Sequence, residues 1–531
     1  MIGELRISPR EAGLARQRAL TRPHPFPPVA TVVSRLVEHA TATPDRVAIK
    51  DGSRVVTYGS LLGRVARLSR VFTDAGAGPG DVVAALGPRS ADTIAIFLAL
   101  EAMGAVYLPL DPEWPPARVE TIRRRAGAVL LVNYQPGPAA GGTGELRLPD
   151  WAEHPAEPLP DRVPAAEEPR YVIFTSGTTG TPKGAVVEHR GMLNHLQAKV
   201  LDLELSEEDV IAFTAPLVFD ISVWQLLTGV LLGATTVVLD EVEVSFPRRL
   251  LSALRAHDIT VVELVPTVVS WLTDELRRAR VATDLPALRW CISTGEELHP
   301  PVAEAVLDTL PHVRLLNAYG PTECSDDVTH HVIRRSDLTA ARLPVGAPIA
   351  NAALYLLVHD GNEWRAAQPG EPGELFVGGV CVGRGYLGDP VITAAAFHAD
   401  VLDSGSETGR LYRTGDLAAF RDGVVHYLGR GDRQVKIAGV RMELDEIEAV
   451  LKRHPRIAHC AVTVRTDADS VVLVAHYVTT TVEPVSAVDL EEFVGGLLPA
   501  AMVPRRWVHI ERLPMTRNGK VDHKALARSE A

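Results

Sequence analysis

At 531 residues, with 46% hydrophobic and 5% aromatic side chains, the chain is too long for one core and has the make-up of an α/β protein of about three units. Its 54 Lys and Arg against 66 Asp and Glu leave a formal charge of −12, which removes the electrostatic case for nucleic acid. The first residues mix Glu4, Arg6, Arg10 and Glu11 and carry no apolar signal segment, and the longest uncharged apolar stretch, 226–239, is too short and too Gly/Thr-interrupted to cross a bilayer.

Residues 29–131 alternate helical and strand patterns. Val32, Leu36 and Val37 share a helical face, 47–49 reads as a strand, 81–86 as a buried strand, 91–103 as an apolar helix and 106–110 as the next strand. This rhythm predicts a mostly parallel sheet with helices on both faces. The basic cluster 123–125 reads as one solvated helix face. Segment 137–144 is a Gly/Ala/Pro loop, and 153–169 is a Pro/Glu-rich connection leading to the apolar strand 171–174. Alternation resumes with strands at 210–213, 235–239, 260–264 and 314–317, and 226–239 reads as a buried helix end running into a strand. Beyond about 344 shorter strands with Gly-rich turns, such as 373–379, suggest a β-rich subdomain. A last unit after Gly429 has a helix at 444–453, strands at 458–465 and 471–478, and a helix at 490–497. Cys291, Cys324, Cys381 and Cys460 show no CxxC and no metal-ligand spacing, so they read as reduced thiols of a cytoplasmic protein.

The most chemical segment is 175–184, TSGTTGTPKG, directly after an apolar strand. Glycines let backbone N–H groups converge on a phosphate, hydroxyls add donors, and Lys183 supplies a point charge. Lys183 is followed by Gly184 rather than Ser or Thr, so this is not a Walker loop.

Further motifs follow in a fixed order: LEAMGAVYLPLD at 100–111, FDISVW at 219–224, NAYGPTE at 317–323, GEL at 373–375, GRGYL at 383–387, YRTGD at 412–416, GRGDRQVKI at 429–437 and LPMTRNGK at 513–520. With these the chain, from about 32 to 523, resembles the adenylate-forming enzymes, and specifically the adenylation domains of nonribosomal peptide synthetases. The resemblance implies a large N-terminal core, 1–431, of two α/β sheet subdomains plus a β-rich subdomain, followed by a small mobile α+β lid, 432–531. It implies ATP and Mg²⁺ as cofactors, an amino acid activated as aminoacyl-AMP with release of pyrophosphate, and transfer to the phosphopantetheine thiol of a separate carrier protein. Whether a small activator protein is a further partner stays open. The chain holds no carrier or condensation motif of its own, so it reads as a free-standing enzyme or an excised module.

By the same resemblance Thr175, Ser176, Gly177, Thr178, Thr179, Gly180 and Lys183 cover the β- and γ-phosphates. Asn317, Ala318, Tyr319, Gly320 and Thr322 line the nucleotide, with Tyr319 on adenine and Thr322 at a phosphate. Asp416 takes the ribose diol, assisted by Arg430, and Glu323 ligates Mg²⁺. Lys520 is the catalytic lysine that bridges substrate carboxylate and α-phosphate, and Asp432 is the hinge. Ala438 stands where the family commonly has arginine, and Asp445 where it commonly has glycine.

The substrate pocket implied is Phe219, Asp220, Ile221, Trp224, Glu263, Ile292, Thr294, Ala318, Asp326, Asp327 and Lys520. Asp220 stands where the family binds an α-ammonium, which argues for an α-amino acid. Glu263 interrupts an otherwise buried strand, and a buried carboxylate needs a partner. The expectation is that Glu263, Asp326 and Asp327 surround a cationic substrate side chain, kept short by Trp224; the alternative is that a protein Arg or Lys pairs with Glu263. A short cationic side chain points to 2,4-diaminobutyrate first, then ornithine, 2,3-diaminopropionate and lysine. Competing readings are an acyl- or aryl-CoA ligase of the same fold, and a catalytically silent adenylate-sensing or carrier-docking protein.

Overall fold

Runs of Val, Ile, Leu and Ala with no polar alternation need cover on both faces, and the computed structural model shows them as inner strands of parallel sheets. It describes residues 2–27, 30–135, 145–148, 158–160, 162–177, 181–278, 285–403, 408–437, 439–467, 470–481, 483–515 and 521–528. The expected loop at 137–144, and residues 153–157 and 161 of the connection that follows, lie outside them. The chain divides into two compact units, one of 1–112, 126–173 and 184–431, the other of 113–125, 174–183 and 432–531. The helix Pro116–Arg125 and the phosphate-loop segment thus group with the C-terminal residues rather than with the core that the sequence suggested.

In the first unit a nine-stranded sheet runs in the order Ala347–Pro348, Thr329–Val332, Arg314–Tyr319, Trp290–Ser293, Val261–Leu264, Val210–Phe213, Thr235–Val238, Val47–Asp51, Arg54–Thr57. Its middle is parallel from Arg314–Tyr319 to Val47–Asp51, and the remaining pairings are antiparallel. A seven-stranded sheet is built on Val82–Leu86 and Val106–Leu110. One core joins the two: Ile49, Ile211 and Val261 pack in a single cluster with Val83, Tyr107 and Ile173 and with the helices Tyr58–Asp74 and Ala91–Met103. Ala91–Met103 is apolar on all sides because nearly every residue is buried; Ser90 caps its start and Gly104, left-handed at φ 75°, ends it. A second seven-stranded sheet is antiparallel, with Ala352–Asp360, Gly373–Gly379 and Arg410–Arg421 at its centre. The N-terminal helix Pro9–Arg18, capped by Ser8, packs here through Ala12 and Ala15. No sequence pattern had flagged that helix.

In the second unit the hairpin Gln434–Ile437/Val440–Glu443 leads into the helix Leu444–Leu451, and Ile457–Asp467, Ser470–Thr479 and Arg506–His509 form a three-stranded sheet. Met442, Ile447, Leu451, Val462, Ala475, Leu490 and Val494 make the core. Asp445, one of the two departures from the family pattern, opens that helix and pairs with Arg433, which also donates to Glu448 at 2.7 Å and to the Val462 carbonyl at 2.8 Å. Ala438 lies outside the described residues. All four cysteines are buried, and among the described residues no helix is long and apolar enough to cross a membrane.

Candidate functional site

In open parallel sheets ligands bind beyond the carboxyl ends of the strands. In the first unit the expected site residues gather there: Glu263 in Val261–Leu264, Thr294 just after Trp290–Ser293, and Asn317 through Asp327 in and after Arg314–Tyr319. Glu263 lies beside Ile292, and Ile292 beside Leu316, across adjacent parallel strands. Asp220 caps the helix Ile221–Leu232, accepting from the Ile221 N–H at 3.0 Å, and its side chain is buried.

The nucleotide-side residues form a hydrogen-bonded group. The Tyr319 hydroxyl donates to Asp416 Oδ2 at 2.5 Å, and Arg430 donates to Asp416 Oδ1 at 2.7 Å and to the Thr414 carbonyl at 3.1 Å. Burial, then the Asp416 charge, push the Tyr319 phenol well above its ordinary pKa, so it donates rather than ionises. Asn317 donates to the Pro344 carbonyl at 2.9 Å, which fixes the strand end. Four residues beyond Tyr319, Glu323 is buried and accepts from the Tyr386 hydroxyl at 2.7 Å. An oriented carboxylate suits a hard cation completed by phosphate oxygens, so this residue fits the expected Mg²⁺ ligand. Gly320 is required by close approach: a Cβ there would stand 1.9 Å from the Asp326 carbonyl oxygen and 2.5 Å from Asp327 Cα.

Of the phosphate loop in the second unit, Thr178, Thr179 and Gly180 lie outside the described residues, as does Lys520. The Gly177 N–H donates to Glu446 Oε2 at 3.2 Å, and Glu446 Oε1 accepts from Arg118 at 3.0 Å. A Cβ on Gly177 would meet the Thr181 carbonyl at 1.9 Å, so no larger residue fits at this position. Ser176 donates to the Arg441 carbonyl at 3.2 Å.

The pocket carboxylates bring a correction. Glu263 and Asp327 do not await a cation from outside, because Lys199 is already there, at 3.0 Å from Glu263 Oε1 and 2.7 Å from Asp327 Oδ2. Trp224 donates its indole N–H to Glu263 Oε2, and its ring lies 4.7 Å from the ammonium. His330 joins Asp327 at 3.4 Å to Asp202 at 2.8 Å, and Arg22 holds Asp202 at 2.7 Å. Burial opposes the Lys199 charge, but Asp327 and Glu263 outweigh it and keep the ammonium protonated. One cation serves two acids. Burial raises Glu263 in spite of Lys199, whereas Lys199 and two histidines overcome burial at Asp327 and hold it well below the carboxylate range.

Asp326 stands apart. Its Oδ2 is buried with no hydrogen-bond partner, and burial, Asp327 and Asp220 push its carboxyl well above the ordinary range. His195 Nε2 faces it at 3.6 Å, likewise unpartnered. The sequence reading missed His195 and Lys199, although a signal was present: Met192, His195, Leu196 and Lys199 fall at i, i+3, i+4 and i+7 on the helix His189–Asp202. A lysine and a histidine on an apolar stripe require buried partners.

Family models for AMP-binding enzymes match 36–387, and for the AMP-binding enzyme C-terminal domain 446–520. A plipastatin synthase of Bacillus subtilis is 33% identical over 511 residues, which are 95% of this chain and 20% of that protein. The chain thus spans about a fifth of that relative's length. Zwittermicin A synthase ZmaJ of Bacillus cereus is 31% identical over 94% of this chain and 95% of its own length. The solved structure of holo-PA1221, a protein containing adenylation and carrier domains bound to a vinylsulfonamide inhibitor, is 28% identical with a TM-score of 0.80, covering 96% of this chain and 84% of that one.

Proposed function

Because the chain belongs to the family of AMP-binding enzymes, we propose that it activates an α-amino acid with ATP as the aminoacyl-adenylate and passes the acyl group to the phosphopantetheine thiol of a carrier protein. The observation that carries this reading is Asp220, a buried carboxylate at the start of the helix Ile221–Leu232, in the place where the family resemblance puts the substrate α-ammonium. A fatty or aryl acid has no group to offer it. In the first step a substrate carboxylate oxygen attacks the α-phosphorus and pyrophosphate leaves. Asp416, steadied by Tyr319 and Arg430, would hold the ribose. Glu323 would hold Mg²⁺, which neutralises phosphate charge when bound. Lys520 would place its ammonium where the two anions meet. The core 1–431, the lid 432–531 and the hinge at Asp432 are part of this reading, as is a cytoplasmic setting for the reduced thiols.

For the amino acid itself we retain a short basic side chain, with 2,4-diaminobutyrate ahead of ornithine, 2,3-diaminopropionate and lysine. The ground has moved from Glu263 to Asp326, among the described residues the one pocket acid with a buried unpartnered oxygen, and Trp224 still limits depth. ATP–pyrophosphate exchange across an amino-acid panel tests both levels. Strongest exchange with a diamino acid is expected. Exchange best with a neutral or acidic amino acid ends the basic-substrate reading, and exchange with no α-amino acid, alongside CoA thioester formation from a simple acid, ends the amino-acid reading.

A further inference from the structure

We infer that His195 and Asp326 together read the end of the substrate side chain, with a single primary ammonium held between His195 Nε2 and Asp326 Oδ2; this rests on the reading of the chain as an enzyme that activates a basic amino acid. Three independent observations meet on this pair. The first is satisfaction. Glu263 has Lys199 and Trp224, and Asp327 has Lys199, His330 and Thr294, whereas Asp326 Oδ2 is buried with no hydrogen bond and His195 Nε2, equally buried, makes none either, lying 3.6 Å from Asp326 Oδ2 and 3.8 Å from Asp327 Oδ2. Such atoms are costly unless a ligand completes them. At 3.6 Å they stand too far apart to satisfy each other by a good hydrogen bond.

The second is backbone. Ser325 and Asp326 are consecutive non-glycine residues in the left-handed region, at φ 66° and 88°. Surroundings enforce this: the Ser325 hydroxyl donates to the Cys381 carbonyl at 2.8 Å, and the Asp326 carbonyl rests against Gly320. Strain of this kind persists where the fold aims a side chain for a purpose, and here it aims the Asp326 carboxyl at His195. The third is charge. Burial lowers the His195 pKa to about 4, so its ring is neutral and can offer a lone pair. A neutral acceptor beside a carboxylate suits a substituted ammonium, which donates to both. A divalent ion is a poorer occupant, because the third donor within reach, Asp327, lies 2.7 Å from the Lys199 ammonium. Lys199 also limits the occupant to one charge, since a second cation would meet it.

The test is exchange kinetics with 2,4-diaminobutyrate and its neutral counterpart 2-aminobutyrate, on wild type, His195→Leu and His195→Gln. His195→Leu is expected to reduce the diamino/neutral ratio of kcat/KM by about tenfold or more, through KM for the diamino acid, and His195→Gln, which restores an acceptor, recovers part of it. A folded His195→Leu enzyme whose ratio stays within about twofold of wild type overturns the assignment to His195 while leaving the substrate reading intact. Wild type that prefers 2-aminobutyrate overturns the reading beneath it. Should the variants fail to fold, calorimetric titration of the wild type just below neutral pH, in two buffers of different ionisation enthalpy, provides a second measure. Asp326 is faced by Asp327, Asp220, Lys199, Glu263 and His195, and burial with the two aspartates raises its carboxyl above the ordinary range. A cation bound beside it would lower it again, so a diamino acid should release more protons than 2-aminobutyrate, and equal or smaller release overturns the pairing.

Discussion

Lys199 has no solvent-accessible side-chain surface, yet it carries a full charge between two acids. Its removal would leave Asp327 ionised in the interior without its cation. Lys199→Met is therefore expected to cost about 3–5 kcal/mol in denaturant unfolding, the range for breaking a buried pair from one side. Adding Asp327→Asn should return part of that loss, since the stranded charge disappears with it, and a double variant no better than the single would show that Lys199 acts mainly by packing. A second buried residue fixes a proton's position. Arg170 donates from Nε to His189 Nδ1 at 3.2 Å, so the ring's hydrogen sits on Nε2 and points to the Ala30 carbonyl at 2.8 Å. Burial, then the Arg170 charge, lower this histidine to about 4. Between that value and the ordinary 6.5 the unfolded chain binds a proton that the folded chain refuses, so stability from this site rises with pH across the window. The stability of wild type relative to His189→Gln should thus improve by up to about 3 kcal/mol from pH 4 to 6.5. A pH-independent difference would mean that the ring protonates normally.

At the scale of elements, the turn after Arg314–Tyr319 serves both halves of the candidate site, with Tyr319 on Asp416 to one side and Asp326 and Asp327 on the other. Gly320 lets the two approach. Gly320→Ala would drive a methyl group into the Asp326 carbonyl and Asp327 Cα, displacing the pocket acids together with the ribose anchor. Misplacement on that scale costs about 10²-fold in rate, so exchange should fall for every amino acid alike rather than for one class. A loss confined to diamino acids would place the damage in the pocket alone. Sequence pattern was a good guide to such elements wherever burial is two-sided. The expected strand at 106–110 is Val106–Leu110, and the expected helix end within 226–239 is Ile221–Leu232, closed by left-handed Gly233 before Thr235–Val238. It was a poor guide where partners come from far along the chain. Lys199 and Glu263 are 64 residues apart, and nothing local to Glu263 reveals which cation it meets. The helix Pro9–Arg18 is legible only once its sheet exists, because just Ala12 and Ala15 are buried along it.

For the whole molecule the proposed reaction has two steps that ask different things of the chain, and two substitutions should separate them. The unit boundary falls between Gly431 and Asp432, and Asp432 accepts from the Gln434 N–H at 3.2 Å as the C-terminal hairpin begins. If Lys520 serves adenylation and rotation at Asp432 exchanges it for a thiolation face, Lys520→Ala should slow pyrophosphate exchange by about 10²–10³ with ATP binding nearly intact, since its charge matters where two anions meet. Asp432→Pro should do the reverse. Proline fixes φ near −65° and removes an N–H, which restricts a pivot without touching any group assigned to the nucleotide or the amino acid. Exchange should stay close to wild type while transfer to a carrier thiol slows, measured by loading of a phosphopantetheinylated carrier from preformed adenylate. Equal loss in both assays would remove Asp432 from the role of hinge. Near-normal exchange by Lys520→Ala would remove Lys520 from the chemistry, and with it the need for a rotation to carry that residue away.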